Sequence, residues 1–127
     1  MIQRVAIIGL GTMGPGMAAR LARGGIDVVA YDIAPAAIER ARTMLATADG
    51  VLDNLGIEAG GTGSVRLTNE LQDAVAGADL VIENVPEKEE IKAEVYRKIE
   101  SMISADTIVA SDTSGIPITR LQAHISN

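Results

Sequence analysis

RVAIIGLGTMGPGMAARLARGGIDVVAYD, from Arg4 to Asp32, is the stretch whose reading decides the fold. A short apolar run, Val5-Ala6-Ile7-Ile8, meets the glycine turn Gly9-Leu10-Gly11-Thr12-Met13-Gly14. A helix-periodic segment follows, with Met13, Met17 and Leu21 in one row and Ala18 and Ala22 beside it, closed by Gly24-Gly25. A second apolar run, Val28-Val29-Ala30-Tyr31, ends on Asp32. Strand, glycine turn, helix, strand and acid in this order form a dinucleotide-binding pattern in its full context. Each part has a physical reason. Gly9 permits the tight turn out of the strand, Gly11 lets a pyrophosphate approach bare backbone, and Gly14 lets the helix pack close to the sheet. The unpaired N–H groups of the first helical turn, with the positive end of the helix dipole, then face the phosphates. The turn residues Leu10, Thr12 and Met13 join the three glycines as candidate cofactor contacts. Asp32 lies 18 residues beyond Gly14, about where an acid holds a ribose diol. Its charge opposes a 2′-phosphate, and the next Arg is Arg40, so the expected cofactor is NAD rather than NADP.

Composition bounds the remainder. A chain of 127 residues is one domain by size, and 47% hydrophobic residues suffice for a core. Tyr31 and Tyr96 are the only aromatics, which predicts an aliphatic, Met-rich core and leaves no platform for stacking bases. A net charge of −6 argues against nucleic acid and against an anionic membrane as partners. There is no cysteine, so neither a disulfide nor thiolate chemistry is available. No signal-like segment precedes the first strand and no apolar run approaches a membrane span, so the chain reads as soluble and cytoplasmic.

Further along, Pro35 opens a second helix with Ile38, Ala41, Met44, Leu45 and Ala48 on one face. The pattern predicts a break near Asp49-Gly50, then another turn or two over Val51 to Ile57, then a flexible loop from Glu58 to Gly63. Val65 to Thr68 reads as a strand, followed by a helix from Leu71 to Ala76 capped by Thr68 or Asn69. Asp79 to Val85 reads as the fourth strand. Pro86 to Ile103 reads as the longest helix, with Ile91, Val95, Ile99 and Met102 on its apolar face and Lys92 among its charges. Thr107 to Ser111 is the expected fifth strand, Asp112-Thr113-Ser114-Gly115 a turn, and Pro117 to about His124 a last helix. The alternation predicts an α/β fold, a Rossmann-type doubly wound parallel sheet of order 3-2-1-4-5. Residues 1–127 form a single NAD-binding domain in this reading. The chain stops where a sixth strand would come.

In such sheets ligands sit beyond the carboxyl ends of the strands. The ends to inspect are Val81-Ile82-Glu83-Asn84-Val85-Pro86-Glu87 and Ala110-Ser111-Asp112-Thr113-Ser114-Gly115. Together with the glycine turn, the run from Ala78 to Ala123 resembles the L-3-hydroxyacyl-CoA dehydrogenase family. That family shows a V-x-E-x-V/I-x-E-x-x-x-x-K segment and then N-T-S-S or a close variant. The resemblance spans nearly the whole chain. It implies that Glu87 and Lys92 lie near the cofactor and a domain-closing ion pair, and that Ser114 hydrogen-bonds the substrate oxygen beside the nicotinamide. It implies for Asp32 the ribose-binding role already given. Read from the residues alone, Glu87 and Lys92 would be ordinary helix-face charges, and Ser114 a cap on the last helix.

The resemblance further implies hydride transfer between NAD and a hydroxyl or carbonyl carbon of a small-molecule substrate, in fatty acid metabolism, by a homodimer. The family's catalytic His, paired with a Glu, lies beyond the point where this chain ends, and His124 does not match it. His124 is therefore read as a surface or partner-facing residue. The expectation is a cofactor half lacking the sixth strand and the C-terminal helical domain, inactive alone. Two departures bear on the substrate. The family's Asn before Thr-Ser is Asp112 here and its second Ser is Gly115. The Lys used to hold coenzyme A has no counterpart, because Ala36 to Gly63 contains no Lys. The segment SDTSGIPITRLQAHIS resembles an offshoot of the family that oxidises a pyridine-ring aldehyde or alcohol in vitamin B6 breakdown. Two rivals remain. The glycine turn also resembles β-hydroxyacid dehydrogenases of the 3-hydroxyisobutyrate type, against which Asp32 and the SDTSG turn decide. A non-catalytic NAD(H)-binding module would suit the missing His–Glu pair.

Overall fold

The computed structural model describes residues 1–56, 63–113 and 115–125. The elements run β1 (Arg4–Ile8), α1 (Gly14–Arg23), β2 (Asp27–Tyr31), α2 (Pro35–Asn54), β3 (Val65–Thr68), α3 (Leu71–Val75), β4 (Leu80–Glu83), α4 (Glu89–Glu100), β5 (Ile108–Ser111) and α5 (Ile118–Gln122). The five strands form one parallel sheet of order β3-β2-β1-β4-β5, as the alternation predicts. β1 is central and buried from Val5 to Ile8. Its alternate side chains feed two cores, because successive strand residues point to opposite faces. Val5 and Ile7 pack with Ala18, Val28, Ile38 and Ala41 under α1 and α2. Ala6 and Ile8 pack with Val75, Val81, Tyr96, Ile99 and Leu121 under α3, α4 and α5.

Several expectations need correction. α2 does not break at Asp49-Gly50 but runs to Asn54. Arg23 of α1 ties that region down, donating from Nη1 to Asp53 Oδ1 at 2.8 Å and from Nη2 to the Asp49 carbonyl at 3.3 Å. A glycine inside a helix costs only about 1 kcal/mol, which such contacts offset. The helix ends instead where Gly56 turns left-handed at φ +72°. α2, with 20 residues, is therefore the longest helix, and α4 has 12. The core is not Met-rich: among the described residues its buried hydrophobic members are Ala, Val, Ile, Leu and Tyr96, while Met13 is exposed and Met17 and Met102 pack only at its margin. The cap before α3 also differs. Glu70 occupies the N-cap without a side-chain bond, and Thr68 Oγ1 accepts the Glu70 N–H one step earlier. The expected loop from Glu58 to Gly63 lies outside the described residues except for Gly63. The α-carbon of Gly63 faces the Ile26 and Ala22 carbonyls so closely that a Cβ would come within 2.3 and 2.5 Å of them.

The buried stripe of α4 also differs from expectation. Lys92, Tyr96 and Ile99 face the core, whereas Ile91 and Val95 are only half-buried. Hydrophobic periodicity treats lysine as solvent-facing, and it fails when the ammonium finds a partner in the interior.

Candidate functional site

The sheet register sets the site. Thr68, Tyr31, Ile8, Glu83 and Ser111 lie side by side across the five strands, so every strand ends at the same level. The loops that follow all rise from this row.

Over β1, Gly9 donates its N–H to the Tyr31 carbonyl at 2.8 Å and adopts φ +107°. A Cβ at Gly9 would lie 2.4 Å from the Asn84 carbonyl oxygen, and one at Gly14 would lie 2.9 Å from the Gly9 oxygen. Gly11 differs: a Cβ there would meet nothing within 4 Å. The two outer glycines thus answer to close packing inside the protein, and the middle one leaves open space. α1 begins immediately beyond, with Pro15 in its first turn, where a missing N–H costs little. Its first internal bond is Met17 N–H to the Met13 carbonyl, so the N–H groups ahead of it point outward. Thr12 and Met13 are exposed on this turn. The Leu10 side chain is buried in the core, which leaves only its backbone at the site.

Asp32 closes this side. Its Oδ2 accepts the Leu10 N–H at 3.0 Å and its Oδ1 accepts the Ala34 N–H at 2.9 Å. The carboxylate is therefore aimed by backbone, and each oxygen keeps a lone pair for a further donor. Beside it opens a cavity of 620 Å³ with Gly9, Tyr31, Asp32, Val85, Pro86 and Ile91 among its walls. That size and its mostly apolar lining suit a nucleoside. Burial and the neighbouring Asp32 and Glu70 charges push the Tyr31 phenol above its ordinary range. An open glycine at a helix N-terminus, a backbone-aimed acid and an apolar cavity beside it fit a dinucleotide.

The other side, between β4 and β5, is built on charge. Glu83 is fully buried and Lys92 is 1% exposed, with Lys92 Nζ 2.5 Å from Glu83 Oε2. The Val85 N–H donates to the same oxygen at 2.9 Å. Tyr96 and Ser111 hydroxyls both donate to Glu83 Oε1 at 2.6 Å. Burial first, and the bond to Glu83 next, push the Tyr96 phenol far above its usual range, so its hydroxyl stays a donor. Lys92 also donates to the Val85 carbonyl at 3.2 Å and lies 3.4 Å from Glu87 Oε1. Glu87 in turn accepts the Thr113 hydroxyl at 2.5 Å and the Gly115 N–H at 3.0 Å. Asn84 Nδ2 donates to the Gly9 carbonyl at 3.2 Å, joining the two sides. Asp112 is exposed, yet partial desolvation and the Glu83 and Glu87 charges hold its carboxyl above the usual range.

The structure thus brings Gly9, Gly11, Gly14 and Asp32 together on one side, and Glu87 with Lys92 on the other. Ser114 lies outside the described residues. Lys92 is enclosed, so its ammonium serves Glu83, Glu87 and Val85. His124 is exposed on the surface, and its Nε2 lies 3.2 Å from Glu89 Oε1, joining the segment after α5 to α4. Sequence reasoning placed Glu83, Ser111 and Thr113 at the strand ends to inspect but gave them no individual role, and it missed Tyr96, whose hydroxyl meets Glu83 only across the fold. A signal existed for Glu83, an acid at the end of an otherwise apolar strand, where an unpaired charge would be untenable.

The model of the 3-hydroxyacyl-CoA dehydrogenase NAD binding domain matches residues 4–127. The chain is 72% identical to 5-formyl-3-hydroxy-2-methylpyridine 4-carboxylate 5-dehydrogenase of Mesorhizobium japonicum, over 99% of this chain and 41% of that protein. It is 37% identical to L-carnitine dehydrogenase of Streptomyces griseus, over 99% of this chain and 38% of that protein. It superposes with a TM-score of 0.96 on the crystal structure of a 5-formyl-3-hydroxy-2-methylpyridine 4-carboxylic acid 5-dehydrogenase, described as an NAD+ dependent dismutase. That match has 71% identity and covers 99% of this chain and 41% of that one. The chain therefore spans about two fifths of the length of these relatives.

Proposed function

This chain belongs to the 3-hydroxyacyl-CoA dehydrogenase NAD binding domain family, and from that premise we propose that it is the cofactor half of an oxidoreductase moving hydride between NAD and a hydroxyl or carbonyl carbon. The observation that carries the reading is the open backbone at Gly11, set between two close-packed glycines and beside the aimed carboxylate of Asp32. Exposed N–H groups of the glycine turn and of the start of α1 would take the pyrophosphate. Asp32 would accept from the ribose diol without moving, since the Leu10 and Ala34 N–H groups already hold it. The apolar cavity beside Asp32 would exclude water from the adenosine half. When bound, NAD supplies the hydride acceptor at nicotinamide C4. Asn84, Glu87 and Thr113 stand on the side where the substrate would enter, and Ser114 would orient its oxygen. Lys92 would act through Glu83 and Glu87. The proton would be taken by a His in the part of the protein beyond this chain.

For the substrate, the 72% identity favours a pyridine carboxylate aldehyde or alcohol of vitamin B6 breakdown over a 3-hydroxyacyl-CoA. The lack of any Lys from Ala36 to Gly63 points the same way, since a coenzyme A phosphate would find no ammonium there. We place the intact protein in the cytoplasm as a homodimer.

Titration with NADH and NADPH, followed by nicotinamide fluorescence, tests the cofactor reading. NADH should bind at least about tenfold tighter than NADPH, a difference of about 1.4 kcal/mol. Ile33 is 75% exposed at the cavity, so Asp32→Ala with Ile33→Arg should move the preference towards NADPH. An unchanged ratio removes the role of Asp32. Assay of the full-length protein on the pyridine aldehyde and on 3-hydroxybutyryl-CoA then decides the substrate.

A further inference from the structure

A buried ion pair alone does not explain Glu83. All four donors it can accept are supplied, two at each oxygen, by Lys92, Val85, Tyr96 and Ser111. Well-packed apolar residues would stabilise an interior as well or better, so stability gives no reason to keep such a network. Where the network leads is more informative. The Ser111 hydroxyl donates to Glu83, so its lone pairs face away, and Ser111 Oγ accepts the Thr113 N–H at 3.2 Å. Lys92 reaches from Glu83 to Glu87, and Glu87 holds the Thr113 hydroxyl and the Gly115 N–H. Thr113 Oγ1 also accepts the Ile116 N–H at 3.2 Å. Two separate arms therefore run from one buried carboxylate to Thr113 and Gly115, the residues on either side of Ser114 in the sequence.

We propose that Glu83 and Tyr96 are positioning residues, and that the Tyr96 hydroxyl, sharing Glu83 Oε1 with Ser111, fixes the direction of Ser111 and through it the backbone at Thr113. The inference rests on the reading of this turn as the substrate side of the site. Tyr96 stays protonated because its phenol is enclosed, so it offers Glu83 a constant donor. With that donor gone, Oε1 keeps Ser111 as its one partner, the carboxylate is held chiefly at Oε2 by Lys92 and Val85, and the Ser111 hydroxyl is less narrowly directed. The glycine turn follows β1, and Asp32 follows β2 and is held by the Leu10 and Ala34 N–H groups rather than by Glu83, so cofactor affinity should not follow.

The test is Tyr96→Phe in the full-length protein, with three readouts. NADH affinity by nicotinamide fluorescence should stay within about twofold of the unchanged protein. Amide exchange by mass spectrometry should quicken about fivefold in the peptide spanning residues 111–117, with β1 and α1 peptides unchanged. Turnover of the pyridine carboxylate aldehyde should fall in kcat by about 10- to 100-fold, as small misplacements at a reacting centre do, with KM nearly constant. Unchanged exchange and kcat overturn the proposal. So does faster exchange spread equally over β1 and α1, which would mark a merely structural role. Failure of the unsubstituted protein to bind NADH sinks the cofactor reading, and failure to turn over the aldehyde sinks the substrate reading, while the exchange comparison still decides the network. If Tyr96→Phe does not fold, Ser111→Ala removes the other donor on the same oxygen and is judged by the same readouts.

Discussion

Lys92→Met should be among the most destabilising single changes in this chain. The Lys92 and Glu83 side chains are 1% and 0% exposed and their charges meet at 2.5 Å, so solvent does not screen the pair. Removing one partner of a buried pair costs about 3–5 kcal/mol because the other charge is left in the interior. Here Val85 N–H, Tyr96 and Ser111 still donate to Glu83 after Lys92 is gone. Hydrogen bonds to a charged group are worth about 1.5–3 kcal/mol each, so the loss should sit at the low end, about 3 kcal/mol. For a domain of this size that lowers Tm by about 10 °C. Urea unfolding followed by far-UV circular dichroism measures it. The double variant Glu83→Gln with Lys92→Met should lose less than Lys92→Met alone, since no charge is then buried. Arg97→Met provides the contrast: Arg97 and Glu94 pair on the surface at 68% and 48% exposure, and the change should cost below about 0.5 kcal/mol. A cost under about 1 kcal/mol for Lys92→Met, or a double variant less stable than the single, would refute the reasoning.

The glycines should separate by role. Gly9→Ala should cost about 2 kcal/mol or more in the same unfolding assay, because φ is +107° and the methyl would sit 2.4 Å from the Asn84 oxygen. Gly11→Ala should leave stability within about 0.5 kcal/mol yet weaken NADH binding at least about tenfold, since its methyl would enter the space left for pyrophosphate; the reverse order would refute both assignments. At Asp112 the raised carboxyl binds its proton more tightly folded than unfolded, chiefly through desolvation and then the Glu83 charge. Its contribution to stability is therefore present below the ordinary carboxylate range and lost as pH rises through the raised value. Asp112→Asn should accordingly be more stable than the unchanged chain at pH 7, and the gap should close on acidification; a gap independent of pH would refute the shift.

Much of the fold was legible because its signals are local. The β1–α1–β2 unit and its acid are announced by residues that must be adjacent in sequence: an apolar run, glycines at fixed offsets, and Asp32 at the end of the next apolar run. The strand order followed because alternating strands and helices with crossovers of this length leave few topologies. The end of α2 was harder. Gly50 and Gly56 look alike in sequence, and only the grip of Arg23 on Asp49 and Asp53 decides which one stops the helix.

Local sequence was enough to bring Gly9, Gly11, Gly14 and Asp32, the proposed dinucleotide half of the site, together through one turn and two neighbouring strands. The tertiary structure alone decided the other half. Glu83, Lys92, Tyr96 and Ser111 come from β4, α4 and β5, and they meet because the register sets Glu83 beside Ser111 while α4 lies across both. A buried charge reads in sequence as a solvent-facing one until its partner is seen. Its burial depends on a contact between segments that no local pattern encodes.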